Sequence, residues 1–274
     1  MKREYLIAGI LSILAALMGI IGHMLLFLKW YVIGMNTPSA EPGCEILLKT
    51  IHPLMADFGV LGGVVFAVSA YGYFTRRNWA FFLSVIAFVL VLLGSWFINV
   101  PYMAAGLPPV YFPLFWPYVI LYFVFMLWVG KISWGRTMLG LLTGIAYIVC
   151  WMNGVASTSR IITIGAPIFT LVQHLHWVAM IGWAVVTVGI IIRPKEWMRV
   201  VGLVSGVAEL VMGIPLTVAT AQQLGRFSLF AIAPIACLVL LILLTWPGLW
   251  QKLTESATQD AMLQPVVGIG GVQP

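Results

Sequence analysis

The chain has 274 residues, of which 62% are hydrophobic and only 8% charged, with 14 Lys and Arg against 8 Asp and Glu. An ordinary soluble domain of this length carries roughly 70 charged side chains. That shortage of polar surface excludes a cytosolic globular enzyme, a disordered protein and a nucleic-acid binder. The class it leaves is an all-α polytopic membrane protein.

A helix needs about 20 mostly apolar residues to cross a bilayer. Eight runs meet that length, at about 5–30, 51–74, 79–99, 111–130, 136–155, 167–192, 199–221 and 227–249. They are continuously apolar rather than alternating, which excludes a β-barrel. The first run follows Lys2 and Arg3, but its apolar core is too long for a signal peptide and reads as a true span. The connection over about 31–50 carries Pro38, Pro42, Gly43 and Cys44, and the one near 100–110 carries Pro101, Pro108 and Pro109 without a charge. The spans form a single transmembrane domain over 1–250, followed by a tail at 251–274 that is polar, Gly-rich, without periodicity and expected to be loose. Gly140–Gly144 and Gly202–Gly206 have the spacing of close helix packing. Cys44, Cys150 and Cys237 are far apart in sequence and define neither a disulfide framework nor a zinc site.

Orientation follows from the basic residues. With the N-terminus inside, the inner segments hold Lys2, Arg3, Arg76, Arg77, Lys131, Arg136, Arg193, Lys195, Arg199 and Lys252, and the outer ones hold Lys29, Lys49, Arg160 and Arg226. Both termini are therefore expected on the cytoplasmic side of a cell membrane, and the net charge of +6 is a topology signal. Trp30, Trp116 and Trp151 fall at outer ends and Trp79, Trp128, Trp134, Trp197 and Trp250 at inner ends, an aromatic belt at both interfaces.

Ionisable groups inside a membrane are costly and mark functional candidates. They are His23, His52, Asp57, His174, His176 and Glu209. From the helical rise, His23 lies ~12 Å below the outer end of the first span, and His174 and His176 lie ~10–14 Å below the outer end of the sixth. All four histidines thus fall in the outer leaflet. His174 and His176 are two residues apart, about 200° around a helix, so their rings point to opposite sides. They suit a helix wedged between two cofactors, or between a cofactor and a hydrogen-bond partner. Asp57 and Glu209 are proton or quinone candidates, and a hydrogen bond to a neighbouring helix is the plainer role for either.

The stretch Val172-Gln173-His174-Leu175-His176-Trp177-Val178-Ala179-Met180-Ile181-Gly182 resembles the tenth helix of the heme–copper oxidase catalytic subunit, with its H-x-H-aromatic-V pattern. His52-Pro53-Leu54-Met55, followed by Gly59, Gly62 and Gly63, resembles that family's second helix. The resemblance implies that His52 and His176 are the axial pair of a low-spin heme b and that His174 faces a second heme or an emptied site. It also implies that Arg226 pairs with heme propionates. The family fold is three pseudo-equivalent four-helix units, and eight spans correspond to two. The family's copper ligands have no counterpart here, since no His lies between His52 and His174, and oxygen reduction at a binuclear centre does not follow.

The leading expectation is an integral-membrane b-type heme protein that transfers electrons between quinol and an outer-surface partner, as a subunit of a respiratory complex. A five-coordinate heme on His174 would instead bind gases. The alternatives are a cofactor-free structural or assembly subunit packed against other membrane subunits, and a copper protein in which His23, His52, one of His174 and His176, and Asp57 converge. A transporter is weaker, because no pair of broken helices meets at the midplane. The lipid bilayer is the partner common to all, and no nucleic acid is expected.

Overall fold

The computed structural model describes residues 3–38, 44–163, 165, 167–225, 227–246 and 248–253. Among them no strand occurs, and seven helices are long and apolar enough to cross a membrane. These are α1 (Arg3–Asn36), α2 (Cys44–Phe74), α3 (Ala80–Ala104), α4 (Phe112–Val129), α5 (Trp134–Thr163), α6 (Pro167–Ile192) and α7 (Glu196–Leu224). The eighth apolar run forms a shorter helix, α8 (Leu229–Thr245). Its start is set by Ser228, whose side chain accepts from the Phe230 N–H. Its end is set at Trp246, which is extended (φ −61°, ψ 125°). Trp246 precedes Pro247, and a residue before proline is held out of the helical region.

The internal contacts gather into two compact units, divided between Thr137 and Met138, with the tail beyond 253 lying outside the described residues. In the first unit α2 packs against both α1 and α3. Glycines make this possible. A Cβ on Gly19 of α1 would come within 2.5 Å of the Gly63 Cα on α2, and one on Gly94 of α3 would come within 2.7 Å of the Met55 carbonyl oxygen. Backbones that approach so closely replace lost solvent driving force with dispersion contact. Further along, Phe66, Phe88 and Phe125 form an aromatic core with ring centroids 4.9–6.1 Å apart.

Two local features break helical regularity near the histidines. The α1 helix widens to a π-turn over Met18–Gly22, immediately before His23. Such turns re-aim the following side chains. In α2, Pro53 has no N–H for the carbonyl of Lys49 one turn earlier. Tyr31 of α1 donates to that carbonyl at 3.2 Å instead.

In the second unit α7 packs against α6 and α8. Gly202 and Gly206 do mark close packing, since a Cβ on either would come within 2.8 Å of Leu244 or Leu241. Gly144 does not, because the nearest atom to its Cβ would be a Thr187 methyl carbon at an ordinary 3.7 Å.

Candidate functional site

The second unit encloses a polar cluster contributed by all four of its helices. His176 of α6 lies 2.7 Å through Nδ1 from Oε2 of Glu209 on α7, and both side chains are fully buried. Asn153 of α5 donates from Nδ2 to the other carboxyl oxygen at 2.7 Å and to the Phe230 carbonyl at 3.2 Å. Gly213, one turn beyond Glu209, leaves the carboxyl its room, since a Cβ there would sit 2.6 Å from Oε1. The thiols of Cys150 on α5 and Cys237 on α8 are in contact at 3.8 Å, and Cys150 adjoins the Glu209 carboxyl. Trp177 covers the cluster's α5 side, packing on Gly154 and, ring centroid to ring centroid at 4.9 Å, on Trp151.

Two atoms of this cluster are left over, Asn153 Oδ1 and His176 Nε2. His176 Nε2 is buried and has no hydrogen-bond partner. Proton counting limits what it can be. With Oε1 accepting from Asn153, the His–Glu pair shares one proton on the Nδ1–Oε2 line. An electroneutral pair carries its second proton on Nε2, as a buried donor without an acceptor. With a single proton, Nε2 is a bare lone pair and the cluster bears a negative charge, the state that ligates a cation. A ligating histidine characteristically has its other ring nitrogen held by a carboxylate or carbonyl, which is what Glu209 provides.

His52 is arranged differently. Its Nδ1 is 3.2 Å from the Tyr102 hydroxyl and its Nε2 is 2.9 Å from the Tyr111 hydroxyl. Tyr102 also donates to the Trp30 carbonyl at 2.7 Å. That carbonyl can only accept, so the single Tyr102 proton points at it, and its oxygen accepts from His52 Nδ1–H. Nε2 of the neutral ring then accepts from Tyr111 O–H. Asn99 fixes this end of the chain by accepting from the Tyr111 backbone N–H at 2.8 Å. Phe27 and Tyr31 stack edge-on against the ring at 5.1 and 5.7 Å. Both nitrogens of His52 are therefore occupied by protein.

His23 shares the first unit and is also fully buried. Nδ1 donates to the Gly19 carbonyl at 3.0 Å, and Nε2 is without a partner. Its ring lies between Tyr111 and Tyr118, with centroids at 5.5 and 6.4 Å, and over Gly59, where a Cβ would overlap it.

The remaining candidates lie elsewhere. His174 is exposed while His176 is buried, as their opposite facing requires. It lines a shallow recess with Gly165, Pro167, Thr170 and Leu171. Asp57 is exposed on α2, away from the buried His23 and His52. Arg226 lies outside the described residues. Within the first unit, Asp57 does not join His23 and His52 as the copper alternative expects. Among the described residues no three His, Cys, Asp or Glu side chains converge on a point that could hold a metal ion. The reason is the helical register of α2, which turns Asp57 outward when His52 turns inward.

Attention to the histidines and acids alone misses Asn153, Tyr102 and Tyr111. Asn153 was open to discovery as the one amide well inside the α5 span. The two tyrosines flank a proline-rich connection, and nothing in their spacing points to His52. Comparison with known proteins returns no match, whether with family models, with curated proteins or with solved structures.

Proposed function

We propose that the chain is a multi-pass protein of the cell membrane with both termini cytoplasmic, and that its second unit binds a b-type heme through His176. The observation that carries this reading is the buried, unpartnered Nε2 of His176 beside an Nδ1 held by Glu209. His176 is also the position that the heme–copper oxidase resemblance gives to a low-spin heme. The donor set fits the group at His176 and does not fit it at His52, whose ring would have to release Tyr111 first. His23 is the other buried histidine with an open nitrogen. A bound heme would supply reversible one-electron chemistry. The chain's own residues hold and insulate the ligand. Glu209 fixes the imidazole ring and its Nδ1 proton, Asn153 fixes Glu209, and the apolar helices exclude water.

The role that follows is electron transfer between membrane quinol and a partner at the outer surface, within a respiratory complex that supplies further membrane subunits. Arg226 is the cation for a propionate.

The test is a reduced-minus-oxidised absorbance spectrum of the purified protein, with metal analysis. We expect a heme α-band that is lost in His176→Ala and retained in His52→Ala. Loss in His52→Ala alone would restore the axial role to that residue. Copper without heme would support the copper alternative. Absence of any cofactor would favour a structural subunit, a reading that the complete satisfaction of His52 by Tyr102 and Tyr111 supports.

A further inference from the structure

We infer that the exposed faces of α2 and α6 dock on one another between two copies of this chain, with Asp57 of one copy bonded to His174 of the next. The inference stands apart from the heme reading. Of the six ionisable residues singled out inside the membrane, Asp57 and His174 are exposed, and neither has a hydrogen-bond or ion-pair partner among the described residues. Asp57 is ten residues past Leu47, ~15 Å along the α2 span, and His174 is seven past Pro167, ~10 Å along α6. Lipid tails offer neither group a partner, and ionisable side chains at such depths are nearly always paired.

The surroundings of the two residues match. Asp57 lies in an exposed stripe with Leu54, Leu61, Val64 and Val68. His174 lies in one with Leu171, Val178, Ile181 and Val185. Both stripes step by three and four residues alternately, the spacing of a seam between two packed helices. In both, the ionisable residue is second. Counted along the sequence, α2 and α6 are separated by an even number of crossings and so run the same way through the bilayer. Laid parallel with Asp57 level with His174, every apolar residue of one stripe meets one of the other: Leu54 with Leu171, Leu61 with Val178, Val64 with Ile181, Val68 with Val185. A single polar pair in an apolar seam sets register.

A second copy is favoured over lipid or an unrelated subunit because it brings both complements at once. It offers an imidazole for the acid and a carboxyl for the base, in one register. The contact joins unlike faces, so it closes only when each copy gives one face and receives the other.

The experiment uses full-length protein in native membranes. Two differently tagged copies are co-expressed, one carrying Leu61→Cys and the other Val178→Cys, so that a disulfide between them is necessarily intermolecular. We expect oxidation to link the two tags, and no link when Ile13→Cys on α1 replaces Leu61→Cys. Asp57→Ala should weaken association in lipid roughly 3- to 30-fold. The exchange of Asp57→His with His174→Asp should restore it. A chain that is monomeric in lipid, a link equally strong from α1, or association insensitive to Asp57→Ala would overturn the inference. So would co-purification of a different subunit that occupies these faces in place of a copy.

Discussion

Replacing Glu209 by leucine tests the central cluster most directly. The substitution removes both acceptors that hold His176 Nδ1 and Asn153 Nδ2, at 2.7 Å each. If each bond is worth the average measured between membrane helices, the loss is about 1 kcal/mol. If both donors are left buried and unpaired, the desolvation penalty is about 1–3 kcal/mol each, or roughly 2–6 kcal/mol in total. The larger figure should apply, because both groups are fully buried in protein and no water or lipid headgroup can replace the carboxyl. A single value would not identify the cause, since a packing defect has a similar size. The decisive measurement is therefore a cycle. Glu209→Leu, His176→Phe and Asn153→Leu are made singly and together, and stability is measured by denaturant titration in mixed micelles. Removing all three polar side chains leaves only the Phe230 carbonyl without its Asn153 donor, so the triple variant should be more stable than the sum of the single losses by about 2 kcal/mol or more. Additive losses within about 0.5 kcal/mol would refute the account of these residues as one coupled unit.

Further outcomes follow from other contacts. Tyr111→Phe removes the donor to His52 Nε2 and should cost about 1–3 kcal/mol, measured in the same titration. Tyr102→Phe should cost more, because it strips a partner from both His52 Nδ1 and the Trp30 carbonyl. Gly59→Ala drives a methyl into the His23 ring and should reduce folded yield, with recovery when His23→Ala is added; no recovery would show that the clash is with backbone instead. Arg76 ends α2 with φ 55°, a conformation that costs a side chain about 1 kcal/mol. Arg76→Gly should therefore raise the unfolding midpoint, while Lys131→Gly at φ 50° should do likewise. Cys150 and Cys237 are buried and unlinked, so both should resist maleimide in the folded protein and react after denaturation without reductant.

The spans were legible because composition and run length decide them, and among the described residues seven of the eight runs form helices of crossing length. The eighth is shortened by Ser228 and by Pro247, local signals that a hydropathy window averages away. The opposite facing of His174 and His176 was also legible, since it needs only the helical repeat. What periodicity does not carry is partner choice. That His52 is held by two tyrosines 50 and 59 residues later depends on how α3 ends and α4 begins. That Cys150 meets Cys237 depends on the packing of helices 87 residues apart in sequence. Composition offers Glu209 a hydrogen bond to a neighbouring helix without naming the helix, and the structure supplies His176 on the adjacent α6.

The His52 network has a consequence for biogenesis. Every residue that satisfies it lies between Trp30 and Tyr111. A membrane protein is threaded into the bilayer from its N-terminus, and N-terminal units fold first during synthesis. The first polar cluster can thus close while α5 to α8 are still in the ribosome or unmade. The second cluster cannot, because Asn153 opens it and Phe230 completes it, so His176 and Glu209 wait for the last helix. A cofactor loaded at His176 would have that interval in which to enter, before α8 seals the unit.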